Sequence, residues 1–174
     1  MLGVVHQGVA FPLLWTLHEL RGNSNTRERV DLVARFRTMF PTTAIADLTA
    51  EREFLGKQWF QYLLRYPRLR FRIRIRESDK LDDGRRNLRG RVVFQDLAVG
   101  QSKVLGRRVW GHWVFVAGLR LEDHSLLIVA TMDVPKTALV DYAQRWSIET
   151  LFGILKTRGF CLESTHLNDP KRSL

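Results

Sequence analysis

The chain has 174 residues, 45% of them hydrophobic, and its 28 Lys and Arg against 18 Asp and Glu leave a formal charge of +10. That balance suits one globular domain with a real core and excludes a disordered tail; the surplus of cations favours a polyanionic partner, nucleic acid before an anionic membrane surface. The single Cys161 excludes an internal disulfide and a thiolate zinc cluster, which fits a reducing cytoplasm, and His6, His18, His112, His124 and His166 stand without ligand spacing.

The opening MLGVVHQGVAFPLLW lacks a basic leader and is interrupted by His6, Gln7 and Gly8, so it resembles neither a signal peptide nor a span of about 20 apolar residues. No membrane partner is expected. Instead, residues 2 to 7 and 9 to 17 predict two antiparallel strands with HQG as the turn. The cluster RGNSNT lets Asn25 or Thr26 cap a helix over about 27 to 39, with Val30, Val33, Ala34 and Phe36 on its apolar side and Pro41 ending it.

A short strand over 44 to 50 then precedes a helix over about 53 to 65, whose buried stripe is Phe54, Trp59, Phe60, Leu63 and Leu64. Strict alternation in LRFRIRIRES puts Arg70, Arg72, Arg74 and Arg76 on one face of the next strand and Phe71, Ile73 and Ile75 on the other. Such an all-positive row repels itself without an anionic partner, so it either lines a DNA channel or is a solvated strand face. Residues 79 to 91 read as an exposed charged loop, and 92 to 132 carry three or four more strands. A long helix over about 135 to 158 follows, opened by Pro135 and closed at Gly159.

On that last helix Tyr142, Arg145, Glu149 and Lys156 stand at offsets of 3, 7 and 14. At about 100° per residue they fall within a sector of about 60°, one stripe. With Val140, Leu151, Ile154 and Leu155 on the other side, an ordinary amphipathic helix would expose the same stripe to water.

The spacing Tyr-x2-Arg-x3-Glu-x6-Lys, together with LTAEREFLGKQWF, GNSNTRERVDLVARF and ESTHLNDPKR, resembles the bacterial insertion-sequence transposases with DDE chemistry, specifically the IS-four-like group, over nearly the whole chain. The resemblance implies an α/β fold of RNase H-like type, a mixed sheet flanked by helices with a β-rich insertion before the last helix. On that pattern residues 1–78 are the first part of the catalytic domain, 79–133 the insertion, and 134–174 the catalytic helix and tail. The resemblance also implies metal-dependent DNA strand cleavage and transfer at transposon ends, with Mg²⁺ or Mn²⁺ held by two Asp and one Glu. Hard carboxylates must converge there because the metals activate the attacking oxygen and stabilise the leaving one.

Carried over by position, Glu149 and Glu51 are the catalytic metal ligands, and Tyr142, Arg145 and Lys156 are phosphate contacts. Arg72 and Arg74 of the ladder are added to the DNA-binding set. Double-stranded DNA and a second transposase copy are the expected partners, in the bacterial cytoplasm at the nucleoid.

Two departures matter. Glu51 stands where the family pattern LTADREF has its second aspartate, and a reach longer by one methylene displaces the carboxylate; an error of order 1 Å costs about a hundredfold in rate. Asp47, four residues back, is more than about 10 Å away at roughly 3.3 Å per residue and reads as structural. The family's first aspartate lies on the central strand ahead of the hairpin, so that strand is expected to be missing, and the C-terminal helical part is expected to be short. The expected product is a catalytically incomplete transposase; its alternative is a non-catalytic basic DNA-binding remnant that competes or co-assembles with an intact one. Trp110 and Trp113 in the insertion are either a base-stacking platform or core.

Overall fold

The computed structural model describes residues 2–7, 9–15, 25–52, 56–65 and 69–145. They fall into two compact units, Met1–Thr42 with Gln144 onward, and Thr43–Ala143. The sequence-based boundary at 78/79 does not coincide with a boundary between units.

In the first unit, β1 (Leu2–His6) and β2 (Val9–Leu14) pair antiparallel as a sheet of their own, with His6 opposite Val9 and Val4 opposite Phe11. Gln7 turns the chain at φ 48. The helix α1 (Thr26–Met39) begins as expected: the Asn25 side chain accepts from the Glu28 N–H at 3.0 Å, and the Glu28 carboxylate accepts from the Asn25 N–H at 2.8 Å. This reciprocal cap satisfies two orphan donors and is worth about 1 kcal/mol. Val33 and Phe36 are its buried side, and Phe40, just before Pro41, donates its N–H back to Phe36 O.

The second unit opens with β3 (Leu48–Ala50), shorter than the strand expected over 44 to 50, and α2 (Lys57–Arg65), which buries Trp59, Phe60 and Leu63. The expected start of that helix, including Phe54, lies outside the described residues. Next comes β4 (Phe71–Ile75), parallel to β3 with Thr49 beside Arg72. Its apolar face meets α2, the Phe60 and Phe71 rings standing 5.3 Å apart.

The segment 79 to 91 is not an open loop. It forms β5 (Lys80–Asp82) and β6 (Asn87–Arg89), then the single turn α3 (Gly90–Val93). Only Leu81, 1% exposed, carries the hydrophobic signal of β5, and the charge around it masked the alternation. The Asp82 carboxylate accepts from the Gly84 N–H, and that of Asp83 from the N–H groups of Arg85 and Arg86, which builds the tight connection.

Three long strands follow, β7 (Ser102–Val109), β8 (His112–Arg120) and β9 (Leu126–Thr131), then α4 (Ala138–Ala143). Trp110 and Gly111, at φ 49 and 89, make the two-residue turn between β7 and β8, whose twist matches that of the flanking strands. The last helix starts three residues later than expected, because Val134 takes φ 40 and Thr137 and Ala138 close turns onto the carbonyls of Val134 and Pro135. Its expected continuation to residue 158 lies outside the described residues beyond 145.

The seven strands run in the order β3-β4-β9-β8-β7-β5-β6, with β3 and β4 parallel and every other pair antiparallel. A parallel pair bridged by a helix, then a block of antiparallel strands, then a helix laid on the sheet is the mixed RNase H-like arrangement with its β-rich insertion. The strands of the insertion extend the sheet itself, and among the described residues β3 is its edge. One face packs on Phe60, Leu63 and Phe94; on the other, Ala138 and Tyr142 of α4 pack with Ala117, Leu127 and Val129.

The first of these faces depends on a glycine. A Cβ on Gly118 would stand 2.5 Å from the buried Phe94 ring, which covers this point of β8. Gly118→Ala must displace a fully buried ring and is expected to lower stability by about 1–3 kcal/mol, read as a lower urea midpoint at unchanged slope. An unchanged midpoint would show that Phe94 is not held there.

Candidate functional site: an arginine ladder zipped to carboxylates

The face that receives α4 is polar at its β3 end. Side chains alternate along a strand, so Asp47, Thr49 and Glu51 share a face with Arg70, Arg72 and Arg74 in the parallel register of β3 and β4. The ladder therefore has its anions beside it.

Arg72 is at the centre and is 1% exposed. Its Nε and Nη2 donate to Asp141 Oδ2 at 3.1 and 3.0 Å, and its Nη1 donates to Thr131 Oγ1 at 2.6 Å, Asp133 Oδ1 at 3.1 Å and the Phe71 carbonyl at 3.2 Å. Asp47 Oδ1 lies 3.3 Å from the same Nη1. Arg70 closes the group from the solvent side, 3.6 Å from Asp47 and 3.8 Å from Asp133, while its Nε donates to the Ala46 carbonyl at 2.8 Å. The phosphate contact expected of Arg72 is corrected by this place in the interior: a guanidinium without accessible surface, already bound to three carboxylates, cannot reach a phosphate.

Glu51 follows directly on β3, with its side chain 13% exposed. The Tyr142 hydroxyl donates to Oε1, and Arg74 Nη1 stands 3.8 Å from Oε2. Tyr142 is itself 1% exposed, with its hydroxyl turned to the carboxylate. One turn of α4 thus delivers two neighbouring residues, Asp141 to Arg72 and Tyr142 to Glu51, and Thr137 Oγ1 steadies Asp141 by donating to its Oδ2 at 2.7 Å.

Of the other expected residues, Arg74 is partly exposed, Arg145 is buried and falls in the other unit, and Glu149 and Lys156 lie outside the described residues. The two tryptophans separate. Trp110 packs edge-on against Phe60 at 5.2 Å and is half-buried, whereas Trp113 is 59% exposed and lies over Gly106, where a Cβ would come within 2.6 Å of its ring. Asp133 and Asp141 escaped the sequence reading, although an arginine row in need of anions was the signal for them. So did a basic surface on the insertion: Lys80, Arg85, Arg86, Arg89, Arg91 and Arg108 are all exposed.

The donor set does not fit a divalent ion. Among the described residues no three His, Cys, Asp or Glu side chains are grouped to hold one. The reason is physical: Asp47, Asp133 and Asp141 are turned onto Arg70 and Arg72, and Glu51 is turned onto Arg74 and Tyr142.

Burial raises the Asp47 carboxyl above the ordinary aspartate range, against the opposing pull of Arg72 and then Arg70, with Asp141 and Asp133 adding to the rise. A carboxyl that holds its proton more tightly folded than unfolded contributes stability below its unfolded pKa, and loses it as pH rises through the folded one. Asp47→Asn removes that loss. Urea midpoints of both proteins between about pH 3 and about pH 6 should therefore shift in favour of the variant as pH rises; a constant difference, or the opposite trend, would contradict the burial of Asp47.

A family model described as a transposase DDE domain matches residues 6–173. Comparison with curated proteins found no match. With an RNase H-like sheet and a family match over nearly its full length, the chain belongs to the DDE-domain transposases, whose substrate is DNA and whose chemistry generally employs a divalent metal.

Proposed function

We propose that this chain binds insertion-sequence DNA ends through the exposed cations of its β-rich insertion, and does not by itself cleave them. The observation that carries the second half is at Glu51, whose two carboxylate oxygens are engaged by Tyr142 and Arg74. Glu51 and Glu149 occupy the family's positions for two of the carboxylates of strand cleavage and transfer, for which Mg²⁺ or Mn²⁺ is the proposed cofactor. The longer glutamate at position 51 reaches into an internal hydrogen bond and ion pair, and a displaced carboxylate is a poor ligand at a centre that tolerates less than about 1 Å.

The first half rests on where the surplus charge lies. Arg70, Arg72 and Arg74 are neutralised internally, so the phosphate contacts fall to residues such as Lys80, Arg85, Arg86 and Arg89. Lys80 and Arg89 are direct cross-strand partners, both exposed. Two like charges opposed on a hairpin cost it stability, a cost that a bound phosphate relieves. The same engagement of Glu51 favours a DNA-binding protein that competes or co-assembles with a cleavage-competent transposase over an independent enzyme. Double-stranded transposon ends and a transposase dimer are the proposed partners, at the bacterial nucleoid. No helix among the described residues is long and apolar enough to cross a membrane.

The test is DNA-binding anisotropy across a salt series, with nicking of end DNA in Mg²⁺ as the second readout. Replacing Lys80, Arg85, Arg86 and Arg89 by Ala should make the slope of log affinity against log salt shallower by about 2–4, at roughly 0.9 per lost phosphate contact. An unchanged slope refutes the surface. Wild-type nicking that disappears in Glu149→Ala refutes the non-cleaving reading.

A further inference from the structure

The connection from β9 to α4 is gripped at both ends by one side chain. At its start Arg72 Nη1 donates to Thr131 Oγ1 at 2.6 Å and to Asp133 Oδ1 at 3.1 Å; at its far end Arg72 Nε and Nη2 donate to Asp141 Oδ2. Between these points the chain turns tightly. Thr131 Oγ1 donates to the Asp133 carbonyl at 2.9 Å, the Thr137 N–H to the Val134 carbonyl at 3.3 Å, and the Ala138 N–H to the Pro135 carbonyl at 3.4 Å.

Val134 stands in the middle of this grip at φ 40. Among the described residues Gln7, Trp110 and His124 are the other non-glycine positions at positive φ, and none of them is β-branched. A branched Cβ is crowded there by the backbone, and the following Pro135 biases residue 134 further towards an extended conformation. Such a conformation costs free energy and persists only where the surroundings impose it. The valine side chain does not impose it, since Val134 is 47% exposed. The constraint comes from the two ends, and both ends are on Arg72.

We propose that the β9–α4 connection is a strained spring latched by the Arg72–Asp141 contact, so that α4 has a second, undocked position reached by releasing that contact. The inference goes beyond the DNA-binding reading and does not rest on it. Docked, α4 keeps the Arg72 contact and the burial of Ala138 and Tyr142 against Ala117, Leu127 and Val129, while Val134 is held strained. Undocked, Val134 returns to an extended conformation, and the helix draws Asp141 from Arg72 and Tyr142 from Glu51 together. The strain released on undocking raises the population of the open state above what the contacts alone would set. Ala143, at the end of α4, is also the last residue of the second unit, so a displacement of α4 reaches the covalent link to the first.

Urea unfolding of the full chain in two backgrounds tests the latch. Glycine adopts positive φ freely but adds freedom to the unfolded chain, and that second effect is the same in every background. Val134→Gly is expected to raise the midpoint of the wild type, where strain relief outweighs the added freedom. In Asp141→Ala the spring is already relaxed, so the same substitution should lower the midpoint. An equal shift in both backgrounds overturns the proposal, because the strain would then belong to the turn and not to the latch. Native-state hydrogen exchange gives a second readout that needs no Asp141 variant. Val134→Asn, whose short polar side chain tolerates the left-handed region, should slow exchange of α4 amides by about fivefold or more, the Asp141 N–H bonded to the Thr137 carbonyl at 2.8 Å among them. Strain confined to the turn would survive undocking, so unchanged α4 exchange in this variant overturns the proposal as well.

Discussion

A single buried guanidinium organises this sheet. Arg72 sits in the second strand of a parallel pair and binds one carboxylate from the segment before β3, one from the turn after β9 and one from α4. Elements far apart in sequence thereby meet at one side chain, 69 residues separating Arg72 from Asp141. Taking a charge out of water is costly, and the arrangement survives because the planar fork is satisfied on every side by Asp141, Thr131, Asp133 and the Phe71 carbonyl. An ammonium could not fill the same set of directions, so arginine is required here for shape as much as for charge.

The placement of the other functional side chains follows. Asp141 anchors α4 over the polar end of the sheet while Ala138 and Tyr142 fix it on Ala117, Leu127 and Val129. With the helix held at both ends of one turn, the Tyr142 hydroxyl has little choice but to meet Glu51. The apolar face, with Phe60 and Phe71 edge to face and Phe94 over Gly118, carries the ordinary hydrophobic burial and leaves this face free to be built from charges. The division between faces comes from the pleat of β4 alone: Phe71, Ile73 and Ile75 go one way and the arginines the other.

Much of this was legible in the sequence. The hairpin, the capped helix with its Asn25 and Glu28 pair, the strand-helix-strand unit and the alternation of β4 all rest on short-range rules that tertiary structure did not override. What was not legible is long-range. Nothing local to RFRIR says whether its cations face solvent, DNA or buried aspartates, and the balance was decided by Asp133 and Asp141, which arrive some 60 or more residues later. Likewise β5 and β6 were hidden because three-residue strands leave too few apolar positions for a period to show. The DNA contact expected of Tyr142 rests on the position it shares with the family pattern, which does not say what the helix is laid against.

The strand-end glutamate concentrates both lessons. Its position at the end of β3 was evident from LTAEREF, and its partners were not. A carboxylate at the mouth of a sheet is chemically open only if no neighbouring side chain claims it, and here the same arginine row that invites a nucleic-acid reading supplies the claimant. The chain's basic character is consequently divided in two: an inner set of guanidiniums that holds the fold together, and an outer set on the insertion that meets solvent.

The central claim is that Arg72 and the carboxylates around it act as one unit joining β3, β4, β9 and α4. A double-mutant cycle on Arg72→Ala and Asp141→Ala, read by urea unfolding, tests it most directly. Residues that share one buried charge group should show a coupling of about 1–3 kcal/mol, the double variant being less damaged than the sum of the singles. Additivity within about 0.5 kcal/mol would contradict the account, since it would mean that α4 is seated without the arginine.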